Sequence, residues 1–300
     1  MKDTYPQQVK IVEVGPRDGL QNEPNHLPTK TKAELVQRLA AAGLQHIEVG
    51  SFVSPNAVPQ LADADELFAL LQRTPGVSYS ALTPNTAGMQ RALAAKVDAV
   101  AVFTAVSETF TQKNIHCSIA ESVQRFMPVI ALAQQANIPV RGYISCALGC
   151  PYEGFIEPAR VVNLSVQLLQ AGCYEVSIGD TIGIGTIRSV DRLFSALLQK
   201  IPATQLAAHF HDTRGQALAN ILQALQMGIA TLDSSVAGLG GCPIAVGATG
   251  NVATEDLVYL LEGLEITTGI DLTALIKTGK WISRILGRHN QSKVGNASEY

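Results

Sequence analysis

Short apolar runs alternate with amphipathic stretches along the whole chain. The runs begin near Lys10 (KIVEVG), Gln45 (QHIEVGS), Val77 (VSYSAL), Val97 (VDAVAVF), Ile138 (IPVRGYISC), Cys173 (CYEVSIGD), Gln205 (QLAAHFHD) and Ala230 (ATLDSSVAG). Each has strand length, and near-continuous apolar character fits a sheet buried on both faces. Helical spacing follows, for instance over Lys30–Ala42, Pro84–Ala95, Ile119–Ala136, Pro158–Ala171 and Arg214–Met227. An eightfold βα alternation in about 250–300 residues predicts an α/β fold, a closed (β/α)8 TIM barrel. The segment beyond about Thr254 adds two more helices that would cap one face. No linker or low-complexity stretch interrupts the pattern, so residues 1–300 are read as a single catalytic domain.

Composition narrows the class. With 47% hydrophobic and 16% charged residues, a large core is available and disorder is disfavoured. A net charge of −3, with no long run of either sign, argues against a nucleic-acid partner. Nothing reaches the roughly 18 uninterrupted apolar residues of a membrane span. The polar start MKDTYPQQ reads as neither a signal nor a transit peptide. The five cysteines suggest no disulfide framework, so reduced thiols and a cytoplasmic location are expected.

In such barrels chemistry gathers at the C-terminal ends of the strands. The chemically suspicious residues fall there. Arg17 and Asp18 end the first strand, Glu48 and Ser51 the second, and Cys146 and Cys150 follow the fifth. Asp180 ends the sixth, His209 and His211 the seventh, and a loop holding Cys242 follows the eighth. Two histidines two apart on a strand point to one face and can ligate one ion. The alternative is a pair of hydrogen-bonded structural histidines. With Asp18 and Asn251 expected at the same barrel end, a metal set of Asp18, His209, His211 and Asn251 emerges. Oxygen and imidazole ligands suit Mg2+ or Mn2+ and would accept Co2+, Fe2+ or Zn2+. Arg17 offers a planar fork for a developing oxyanion; its alternative is an ion pair with Glu13 or Glu48. Cys242 sits in Gly238-Leu239-Gly240-Gly241-Cys242-Pro243, where glycine density suits a loop shaped around substrate. It reads as a nucleophile or a general acid rather than as core. Asp180, in GDTIG, serves either the site or a backbone cap, and Glu48 faces the same choice.

These segments together resemble the 3-hydroxy-3-methylglutaryl-CoA lyase family of metal-dependent TIM-barrel lyases. The likeness covers Val12–Glu23 (VEVGPRDGLQNE), Glu48–Pro55 (EVGSFVSP), Phe110–Ser118 (FTQKNIHCS), Ser145–Gly154 (SCALGCPYEG), Gly179–Gly183 (GDTIG), His209–Asp212 (HFHD), Gly238–Gly263 and Ser292-Lys293-Val294. It implies retro-Claisen cleavage of an acyl-CoA to acetyl-CoA and acetoacetate, with a divalent metal. It implies metal ligands at Asp18, His209, His211 and Asn251. Catalytic roles fall on Cys242, Arg17, Asp18, Glu48, Asp180 and His209, and substrate contacts on Arg17, Gln21, Asn114 and Thr181. A homodimer, and a place in leucine breakdown or ketone-body formation, are likewise implied. Three positions, in two segments, depart from the family pattern. Asn56-Ala57 stands where Lys-Trp is common, and Ile244 where tyrosine is common, which would widen the acyl pocket toward longer 3-hydroxy-3-alkylglutaryl-CoA substrates.

Three rival readings are weaker. A condensing enzyme joining acetyl-CoA to a 2-oxo acid shares the Arg-Asp-Gly and HxH motifs but lacks the Gly-Gly-Cys-Pro loop. A non-haem Fe(II) oxygenase would use Asp18, His209 and His211 as a facial triad, yet its usual scaffold is all-β. A non-catalytic barrel leaves the gathered acid, histidines and thiol unexplained.

Overall fold

The computed structural model describes residues 5–54, 58–241 and 250–297. Among these, eight parallel strands pair in sequential order and close on themselves. They are β1 (Lys10–Glu13), β2 (His46–Ser51), β3 (Ser78–Leu82), β4 (Ala99–Ala105), β5 (Val140–Ser145), β6 (Glu175–Asp180), β7 (Leu206–Phe210) and β8 (Thr231–Ser234). Each expected strand is present. Closure comes from β1 pairing with β8, where Lys10 lies opposite Thr231 and Val12 opposite Asp233.

Helices α1 (Thr29–Ala41), α2 (Ala64–Leu70), α3 (Thr86–Ala94), α4 (Glu108–Ile115), α5 (Ile119–Gln135), α6 (Pro158–Ala171), α7 (Ile187–Leu198) and α8 (Ala217–Gln226) follow the strands. Their ends are written locally. Ser118 and Glu121 form a reciprocal cap that starts α5. Proline at the first position opens α6, and Gly172 closes it in the left-handed region. Along α7, Val190, Leu193, Phe194 and Leu197 are buried, the stripe that a 3.6-residue period presents to a sheet. Among the described residues no helix is long and apolar enough to cross a membrane.

The C-terminal segment carries three helices rather than two: α9 (Thr254–Gly263), α10 (Leu272–Leu286) and α11 (Lys293–Ala297). Helix α10 packs on α1 and on a short turn, Val236–Gly238, just past β8. They therefore buttress one side of the C-terminal rim. The extra element, five residues long, was too short for periodicity to reveal.

The barrel interior is polar through its middle. Arg141 on β5 bonds Asp233 on β8, and Tyr143 on β5 bonds Glu48 on β2. These strands are not neighbours, so the bonds cross the lumen. Beside them lies a small apolar patch of Leu82, Ala101 and Tyr143, with Phe103 packed on it.

Candidate metal centre

Arg17 and Asp18 do not end β1. They sit in a π-helical turn, Gly15–Gly19, that follows it. The N–H groups of Arg17, Asp18 and Gly19 all converge on the Val14 carbonyl, which bends the chain over the barrel mouth. Gly19 is required there: a Cβ would lie 2.8 Å from both Leu239 Cβ and Ser235 Oγ. Across the mouth, His209 is on β7, and His211 just beyond it is bridged to Asn251. That bridge fixes the Asn251 register, with Asp212 N–H donating to Gly250 O and Val252 N–H to Phe210 O.

Together these elements gather the four proposed ligands. One donor atom from each of Asp18, His209 and His211 lies within 4.8 Å of the others. The Nε2 atoms of the two histidines are 3.3 Å apart, and His209 Nε2 is 4.0 Å from Asp18 Oδ2. Asn251 Nδ2 donates to Asp18 Oδ2 at 2.8 Å and to Leu239 O at 3.2 Å. Its other atom, Oδ1, is buried and has no partner among the described residues, and neither does His211 Nδ1. A buried orphan acceptor on the residue that bonds Asp18, with two imidazoles alongside that carboxylate, is a set of donors that a divalent ion would satisfy. Burial pushes the Asp18 carboxyl up, but Arg17 and both histidines outweigh it and hold it at about 2. Burial, with His209 alongside, lowers His211 to about 4. Both groups are thus ready to ligate near neutrality.

Arg17 is buried and doubly paired. Its Nε donates to Glu48 Oε2 at 2.7 Å and its Nη1 to Asp18 Oδ1 at 2.7 Å. The ion pair with Glu48, the structural alternative for Arg17, is therefore present. Glu48 lies in mid-strand rather than at the end of β2. Burial raises its pKa despite Arg17, and its Oε1 has no partner among the described residues.

Asp180 ends β6 as expected, but its carboxylate caps the next loop. Oδ1 accepts from Ile184 N–H at 3.1 Å and Oδ2 from Gly185 N–H at 2.8 Å. Thr181 Oγ1 accepts the Cys146 N–H at 2.8 Å. Gln21 is partly exposed beyond the π-turn, and Asn114 is exposed near the end of α4. Ser51 is buried, and its hydroxyl donates to Leu82 O. Cys150 is buried, its Sγ 3.0 Å from Ser107 Oγ. Cys242, Asn56, Ala57 and Ile244 lie outside the described residues. The root of the cysteine loop is described: a Cβ on Gly240 would come 2.7 Å from Asn251 Nδ2. That root therefore runs against the metal cluster.

Four residues of this site escaped the sequence reading: Tyr143, Arg141, Glu175 and Asp233. Tyr143 lies between two guanidinium groups, 5.5 Å from Arg17 and 4.9 Å from Arg141. Its hydroxyl accepts from Arg141 and donates to Glu48 at 3.3 Å. Asp233 bonds His209 Nδ1 at 3.1 Å. The available signal was charge on strands otherwise apolar, Arg141 and Glu175 in particular, which burial disfavours unless they are paired.

Residues 8–282 match the HMGL-like family model. The chain belongs to the HMGL-like family. Within it, the bovine mitochondrial hydroxymethylglutaryl-CoA lyase is 57% identical over 295 residues, covering 98% of this chain and 91% of that protein. A Pseudomonas aeruginosa protein named 3-hydroxy-3-isohexenylglutaryl-CoA/hydroxy-methylglutaryl-CoA lyase is 56% identical over 292 residues, 97% of each chain. The crystal structure of a hydroxymethylglutaryl-CoA lyase from P. aeruginosa superposes with a TM-score of 0.96 at 55% identity, covering 98% of both chains.

Proposed function

We propose that this chain cleaves 3-hydroxy-3-methylglutaryl-CoA into acetyl-CoA and acetoacetate. The observation that carries the reading is the convergence of Asp18, His209 and His211 at one barrel mouth beside the buried Arg17. Asp18, His209, His211 and Asn251 would hold a divalent ion, for which Mg2+ or Mn2+ suits the donor set. Once bound, such an ion supplies Lewis-acid polarisation of the substrate's C3 hydroxyl.

The chain's own groups do the rest. Both oxygens of Asp180 are engaged by loop N–H groups, which favours Asp18 or a histidine as the base for the C3 hydroxyl proton. Breaking the C2–C3 bond sends an electron pair into the thioester, and Arg17, anchored by Glu48, is placed to hold the resulting oxyanion. Cys242 would return a proton to the enolate carbon.

A second reading concerns chain length. The P. aeruginosa relative carries the isohexenyl substrate in its name, which favours acceptance of longer 3-alkyl groups here. A substrate panel tests both readings. Acetoacetate from the methyl compound supports the first, retained turnover on longer analogues supports the second, and inactivity on all of them with Mg2+ or Mn2+ present refutes both.

A further inference from the structure

Beneath the metal cluster runs a line of charge, buried except at its Lys10 end, that the proposed reaction does not use. Lys10 Nζ donates to Glu175 Oε2 at 2.6 Å, and Glu175 Oε1 accepts from Arg141 Nε at 2.7 Å. Arg141 then grips Asp233 with both terminal nitrogens, Nη2 to Oδ1 at 2.8 Å and Nη1 to Oδ2 at 3.1 Å. Ser177 Oγ donates to the same Oδ2 at 2.7 Å. Two cations and two carboxylates balance, so this line adds no net charge below the metal site. It ends where Asp233 Oδ2 meets His209 Nδ1 at 3.1 Å.

The chemistry of that last bond is one-sided. An ionised carboxylate can only accept, so the ring nitrogen facing it must carry the hydrogen. An imidazole with one proton at Nδ1 has its lone pair at Nε2. Nε2 is the atom that faces His211 and Asp18. The ring cannot swing away cheaply, because Asp233 is itself held by Arg141 and Ser177 and is 1% exposed. Among the described residues His211 has no comparable partner on its Nδ1, so the two histidines are not supported alike.

We propose that Asp233 is a positioning residue, which fixes the Nδ1–H tautomer and ring plane of His209 so that Nε2 presents its lone pair to a divalent metal. The inference rests on the metal site of the proposed function. Carboxylates that orient a ligating histidine in this way are worth about 10–100-fold in metal affinity. A purely structural role, as counter-charge to Arg141, would leave the tautomer of His209 unspecified.

The test has two arms. In the metal-free wild-type protein labelled with 15N-histidine, long-range 1H–15N correlation reads the tautomer directly. The His209 signals are identified by their loss in His209→Gln. An Nδ1–H form is expected, and an Nε2–H form overturns the proposal without any Asp233 variant, so a misfolded variant cannot leave the matter open. In the second arm, free Mn2+ is followed by electron paramagnetic resonance as it is titrated into wild type and Asp233→Asn, with circular dichroism on both. The dissociation constant is expected to rise about 10–100-fold in the folded variant. Equal affinity overturns the positioning role while the metal reading survives. A wild-type chain that takes up no Mn2+ overturns the metal reading and this proposal with it.

Discussion

Glu13 should make the stability of this protein fall as pH rises through neutrality. Its carboxyl is fully buried behind the Arg17–Asp18 turn. Oε1 accepts from Gly15 N–H at 2.8 Å and Val236 N–H at 2.9 Å, and Oε2 lies 2.6 Å from Thr254 Oγ1. Thr254 Oγ1 is also 2.9 Å from Ser234 Oγ, and one hydroxyl has only one hydrogen to give. Two arrangements satisfy both contacts: Ser234 donates to Thr254 while Thr254 donates to an ionised Glu13, or a proton on Glu13 Oε2 donates to Thr254 while Thr254 donates to Ser234. Burial, only partly offset by these hydrogen bonds, pushes the Glu13 pKa up to about 7 from 4.5. A folded pKa above the unfolded one means that the native state holds the extra proton. The stabilisation is complete below about pH 4.5 and is lost as pH climbs through about 7. The shift corresponds to roughly 3 kcal/mol. Glu13→Gln mimics the protonated form, with its amide N–H toward Thr254 and its oxygen toward Gly15 and Val236. Urea melts of both proteins at pH 5 and pH 8.5 should show near-equal stability at the lower pH. At the higher pH the variant should be more stable by up to about 3 kcal/mol. Equal destabilisation of the variant at both values would refute the reasoning, because it would mean that native Glu13 is ionised throughout.

Three further outcomes follow from the site. Gly19→Ala should push the π-turn off Leu239 and Ser235, lowering turnover at least tenfold while circular dichroism stays native; unchanged kinetics would show that the turn tolerates the shift. Arg17→Met should cost about 10²-fold or more in kcat with Mn2+ affinity retained, since the arginine is no ligand; loss of metal binding instead would assign it to the metal site. Cys242→Ala should abolish release of acetyl-CoA while leaving Mn2+ affinity unchanged, and full activity would remove the thiol from the reaction.

The barrel was legible because parallel strands buried on both faces leave apolar runs that chain position alone can order. Lys10 does start β1, the other seven strands start one or two residues after the apolar runs do, and Pro158 announced α6 outright. Helices α2 and α4 were harder to read, being seven and eight residues long. The grouping of His209 and His211 was legible for the same reason as the strands: HxH on a strand fixes a common face. The support beneath them was not. Asp233 is 92 residues from Arg141 in sequence, and the two meet only because β5 and β8 face each other across a closed lumen. Asp180 shows the limit from the other side, since a carboxylate at a strand end looks alike whether it faces a ligand or caps a loop. Only the positions of the Ile184 and Gly185 N–H groups separate the two.

The central claim is metal-assisted cleavage at the Asp18, His209, His211 and Asn251 cluster. Its most direct test is acetyl-CoA release from 3-hydroxy-3-methylglutaryl-CoA by protein stripped with EDTA, then supplied with Mg2+ or Mn2+. The account predicts negligible release after stripping, recovery on adding either ion, and no recovery in a folded His211→Ala variant at the same metal concentration. Undiminished release from the stripped protein, or full recovery in that variant, would contradict it.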